Sequence, residues 1–126
     1  MANIFQNTPV VTRNLIIINV LVFLSQYALG NSGIINMEEL FGLHFVLAEN
    51  FYPWQIVSYM FLHGGFTHLF FNMFALWMFG VVIERTLGEK RFIIYYFVCG
   101  IGAGLVQELA QFFASGMTPV PGLTVG

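Results

Sequence analysis

At 126 residues the chain has room for one domain, but 58% of it is hydrophobic and only 8% is charged, against about 25% charged in ordinary soluble proteins. A soluble fold of this size cannot hide so much apolar surface, 15 phenylalanines included, so lipid is its natural solvent. The net charge of −2 gives no basis for a nucleic-acid partner, and the single Cys99 excludes an internal disulfide.

The first apolar stretch runs from Leu15 to about Leu29. It falls a little short of the ~20 residues of a spanning helix, and Val10 and Val11 can extend it. A cleaved signal peptide is the alternative, with Arg13 as its basic flank and Ala28 and Gly30 as small residues near a cut. Two further apolar stretches favour a multi-span protein. The link 30–65 is too long for a turn. Within it NMEELFGL and WQIVSYMFL carry apolar stripes; in the second, Trp54, Val57, Met60 and Phe61 share a helical face while Gln55, Ser58 and Tyr59 point elsewhere. That pattern predicts a helix lying in the interface with Tyr52 and Trp54 at headgroup depth, starting at Pro53. Gly64 and Gly65 then predict a sharp corner into the membrane.

The second stretch, Phe66 to Ile83, opens inside HGGFTHLFFNM. On one helix His63 and His68 stand roughly 140° apart, and two ligands without a third make a poor metal site. His68 and Asn72 are one turn apart and share a face, near the outer end of the span. Leu69, Phe70 and Phe71 cover the other directions. A polar pair there needs partners inside the bundle. Two readings stay open at this point: interhelical hydrogen bonds that hold helices together, or donors aimed at developing negative charge. Glu84 and Arg85 read as cytoplasmic flanks or a helix-end pair, without chemistry. The third stretch, Phe92 to about Phe113, holds Gly100 and Gly104 at the spacing that lets membrane helices approach closely. Gln107, Glu108 and Gln111 follow near its outer end, and SGMTPVPGLTVG has the composition of a loop. Arg13, Arg85, Lys90 and Arg91 are the only basic residues. The positive-inside rule places them, and the N-terminus, in the cytoplasm, with 30–65 and the tail outside.

FYPWQIVSYMFLHGGFTHLFFNM followed by ERTLGEKRF closely resembles the rhomboid family of intramembrane serine proteases, over most of the chain from about Phe51 to Gly126. The resemblance rests on the H-G-G-x-x-H-L-x-x-N-M run and the E-R-x-x-G-x-x-R-F turn; the first span matches only in character. It implies a six-helix core with a Ser–His dyad, the Ser in a G-x-S-G motif at the start of the fourth helix and the His on the sixth. It also implies that His68 and Asn72 help form the oxyanion hole. Gly126 then resembles the first Gly of G-x-S-G, so both dyad residues would lie beyond it, and Ser115 lacks the motif.

The expectation is therefore an all-α, polytopic membrane protein: three transmembrane helices of a rhomboid core, approximately 13–29, 66–84 and 92–113, with interfacial helices in the outer loop 30–65. Residues 1–126 would be an inactive N-terminal part of a protease that cuts transmembrane protein substrates, without metal or cofactor. Its partners would be membrane lipid, those substrates and the parent's remaining helices, and its home the cytoplasmic membrane of a bacterium. The alternatives are a catalytically dead rhomboid-like binding or scaffold protein and an unrelated small transporter subunit.

Overall fold

A computed structural model describes residues 7–46, 48–115 and 123–124. Helix α1 spans Val10–Ser32, the short α2 Met37–Phe41, and α3 Gln55–Ser58, which tightens into a 3-10 turn over Tyr59–Phe61. Helix α4 spans Phe66–Leu87 and α5 Glu89–Ser115. A two-residue strand β1, Leu43–His44, pairs antiparallel with β2, Leu123–Thr124. Helices α1 and α4, and α5 over Glu89–Ala114, are long and apolar enough to cross a membrane. Apart from the β1–β2 pairing, the chain is an all-helical polytopic membrane protein.

Burial is inverted relative to a soluble protein. Leu21, Leu24, Phe66 and Phe113 lie more than half exposed, whereas Thr12, Asn19, Gln26, Gln55, Glu84 and Glu108 are buried. Apolar side chains lose nothing by facing lipid, while polar ones must find partners inside the protein.

The helices outrun their apolar stretches because caps, not hydrophobicity, set their ends. Pro9 precedes α1 and offers no side-chain cap. The carboxylate of Glu84, from the end of α4, takes its place: it accepts from the N–H groups of Val11 (2.9 Å) and Thr12 (2.7 Å) and from the Thr12 hydroxyl (2.8 Å). Negative charge at a helix N-terminus is also favoured by the helix dipole. Arg85 next to it donates to the Asn7 carbonyl at 2.8 Å. Gly88, at φ +88°, closes α4 by donating to the Glu84 carbonyl, in a conformation open mainly to glycine. The E-R-x-x-G string is thus a clamp on the start of the first helix, so that Glu84 and Arg85 serve a helix end, though that of another helix than their own.

In the outer loop Gln55, Tyr59 and Met60 are buried, while Trp54 and Val57 face outward. Gln55 is fully buried because its amide is used three ways, donating to the Leu40 and Asn50 carbonyls and accepting from His44 N–H. The GxxxG pair, for its part, receives the outer loop. A Cβ at Gly100 would overlap the tip of Met60, and one at Gly104 would sit 3.1 Å from the Tyr59 ring. The Tyr59 hydroxyl also donates to the Gly100 carbonyl at 2.5 Å. Close approach of α1 to α4 falls instead at Gly80, where a Cβ would stand 3.0 Å from the Thr12 hydroxyl. Glu108 completes the loop's attachment by accepting from Val46 N–H at 2.6 Å.

Candidate functional site

The corner between the outer loop and α4 holds His63, Gly64, Gly65 and His68. The His63 peptide is clamped on both sides by one side chain of α1: Gln26 accepts from its N–H at 3.2 Å and donates to its carbonyl at 2.6 Å. The same Gln26 amide nitrogen donates to Glu38 at 2.6 Å. Gln26 drew no notice in the sequence, where a lone glutamine in an apolar run was its only signal.

Gly65 is extended (φ −175°, ψ 172°), and a Cβ there would touch nothing within 4 Å. Neither strain nor close packing demands glycine at that position. What the corner does achieve is to break the helix before His68. His63 therefore lies outside α4, and its ring meets that of His68 edge-on, 5.1 Å between centroids. The separation of roughly 140° expected on one continuous helix does not apply. Among the described residues, no three His, Cys, Asp or Glu side chains gather as metal ligands.

His68 and Asn72 lie in the first two turns of α4, half-buried, one turn apart on a common face. The Gly64 N–H points at Nδ1 of His68 at 3.3 Å. A ring nitrogen that accepts cannot carry the hydrogen, so in the neutral ring the N–H sits on Nε2. The folded-back Gly64 thus sets the tautomer of His68. The six-residue run from His63 to His68 matters because its backbone turns to reach its own last side chain.

His63 differs from His68. It is 2% exposed, and among the described residues its Nδ1 has no partner. Burial first, and the neighbouring His68 second, push its pKa down to about 4, against a smaller upward pull from the Phe61 backbone. Its ordinary value is about 6.5, so the unfolded chain takes up this proton first. Stability contributed by neutral His63 is present above about pH 6.5 and is lost as pH falls toward 4. Thermal unfolding in detergent should therefore show a steeper loss of Tm between pH 6.5 and 4 for the native chain than for His63→Gln. Parallel curves would contradict the assignment.

A G-x-S-G string does occur within the described chain, as Gly30–Gly33. Here it ends a helix. Gly33 caps α1 in the left-handed conformation (φ +74°), and the exposed Ser32 donates its hydroxyl to the Leu29 carbonyl at 3.0 Å.

Comparison with known proteins agrees with this architecture. The Rhomboid domain family model matches residues 50–126. Rhomboid protease GluP of Bacillus subtilis (strain 168) is 35% identical over 119 residues, covering 90% of this chain and 22% of that protein. Rhomboid protease AarA of Providencia stuartii is 37% identical over 60 residues, 48% of this chain and 21% of that protein. Inactive RHOMBOID-like protein 8 of Arabidopsis thaliana is 35% identical over 74 residues, 58% of this chain and 21% of that protein. The chain thus spans about a fifth of the length of each of these relatives. With a family model matched across more than half of it, and with the helical membrane architecture that the match implies, the chain belongs to the rhomboid family.

Proposed function

We propose that this chain carries the oxyanion-stabilising part of a rhomboid-type intramembrane serine protease, which cleaves transmembrane protein substrates near their outer ends. Attack by a serine hydroxyl on a peptide carbonyl creates a tetrahedral oxyanion. Donors already in place lower that barrier most where water is scarce. His68 Nε2–H and the Asn72 amide are those donors. The observation that carries the reading is the Gly64 N–H on His68 Nδ1, which makes Nε2 the donor on the face shared with Asn72. A histidine kept only for packing does not need its tautomer set by the preceding loop.

In this reading the Ser–His dyad comes from sequence following Gly126. Ser32 is no nucleophile, because its hydroxyl is spent on a helix carbonyl at the C-terminal end of α1. Residues 1–126 are then inactive alone, the N-terminus and the Arg85–Arg91 turn face the cytoplasm, and the host membrane is bacterial. Neither metal nor cofactor is required. The second reading, a rhomboid-like membrane protein that binds clients without cutting, is supported by the similarity to a relative named inactive. Family membership removes the unrelated transporter. A fluorophosphonate probe separates the rest. Labelling of the full-length parent but not of residues 1–126 supports the protease. A parent that stays unlabelled favours the binder, and labelling of the 126-residue chain that Ser32→Ala abolishes would overturn the assignment of the nucleophile.

A further inference from the structure

The Gly64 N–H that meets His68 Nδ1 belongs to the peptide unit joining His63 to Gly64. The other polar group of that unit is the His63 carbonyl. A trans peptide is planar and rigid, so its C=O and N–H point in opposite directions and cannot turn independently. Whatever fixes the carbonyl therefore aims the N–H. Gln26 fixes it: Nε2 donates to the His63 carbonyl at 2.6 Å. Oε1 of the same side chain accepts from the His63 N–H, one peptide unit earlier, at 3.2 Å. One amide thus holds the two peptide units that flank His63.

The amide is itself held. Its nitrogen faces two acceptors, the His63 carbonyl and Glu38 Oε1 at 2.6 Å, and its oxygen faces a donor. Turned end for end, it would set oxygen against both acceptors and NH₂ against an N–H, so only one orientation is satisfied. Gln26 is buried on a helix long and apolar enough to cross a membrane, where a polar side chain needs partners inside the protein. Joining α1 to the corner needs only one such bond. The second and third bonds make the joint directional.

We propose that Gln26 is a positioning residue for His68: by holding the carbonyl of the His63–Gly64 peptide it aims the opposite N–H at Nδ1 and so keeps the hydrogen on Nε2. The catalytic consequence, though not the contact, rests on the oxyanion role proposed for His68. The test is NMR of the full-length parent in micelles, with ¹⁵N in histidine and glycine, alongside kinetics on a transmembrane substrate. In the unaltered protein a coupling across the hydrogen bond should join the Gly64 nitrogen to unprotonated His68 Nδ1. Gln26→Met, similar in length but unable to grip the peptide, should abolish that coupling. It should also lower kcat about tenfold, one hydrogen bond's worth, with KM little changed. Ser25→Ala, on the exposed side of the same turn, should leave both. In an Asn72→Ala background Gln26→Met should still lower kcat, whereas in a His68→Ala background it should cost nothing further. A glutamine that merely joins helices would cost the same in all three backgrounds, and that pattern overturns the proposal. So does a coupling that survives Gln26→Met. A hydrogen found on His68 Nδ1 in the unaltered protein overturns it without any variant, so a variant that fails to fold does not rescue it. Loss of the coupling in Gln26→Met, combined with native turnover in His68→Ala, supports the positioning contact and overturns the oxyanion role of His68 alone.

Discussion

Asn72→Ala in the full-length parent should lower turnover by ~10²–10³-fold, the usual cost of one lost oxyanion donor, while substrate affinity changes much less. The asymmetry follows from the proposed role. The amide meets negative charge that exists only in the transition state, so its loss falls on kcat rather than on binding. His68→Ala is a weaker test, because His68 is also in ring contact with His63 and accepts from Gly64. Its loss disturbs the corner as well as the chemistry. If the pair served only to hold helices together, Asn72→Ala would lower Tm in detergent and leave turnover per folded molecule unchanged. Both quantities are measured on one preparation, and that second pattern would end the oxyanion assignment.

Glu84→Ala should be the most destabilising single change outside the site, by on the order of 3 kcal/mol or more. It strands two backbone N–H groups and a hydroxyl at a place where little else can accept from them, and each buried orphan costs about 1–3 kcal/mol. Glu84→Gln retains an acceptor and should cost about half as much. Unfolding in mixed micelles, followed by circular dichroism, gives both numbers. A Glu84→Ala chain within ~0.5 kcal/mol of the native one, the usual range for an inconsequential surface change, would show that water or lipid headgroups can replace the carboxylate.

The three spans were legible because a run of about 20 apolar residues has few other uses. The shared face of His68 and Asn72 was legible because helical rotation alone decides it. The orientation of the outer-loop helix was not. An apolar stripe identifies the inside of a protein only when the outside is water, and next to lipid Trp54 and Val57 can turn outward without cost. There the buried polar residue is the better guide, and Gln55 was the one to follow. The helix that Glu84 caps was hidden for a different reason. Capping signals are sought within a few residues of a helix end, and this cap is supplied from 72 residues away in sequence. The tautomer of His68 depends on a loop N–H that no periodicity encodes. Likewise the G-x-S-G letters at Gly30–Gly33 take their meaning from the end of the helix on which they fall.

The bond pair between Gln26 and the His63 peptide ties the first helix to the corner at a fixed height. Helix α1, with 23 residues, is about 34 Å long at 1.5 Å per residue, close to the thickness of a bilayer's hydrocarbon core. A membrane that thickens or thins acts on such a helix through hydrophobic mismatch, by tilting it or sliding it along the normal. Because both hydrogen-bonding groups of His63 are held by one α1 side chain, the height of the first helix and the position of the corner before His68 are set together, although that helix contributes no candidate donor of its own.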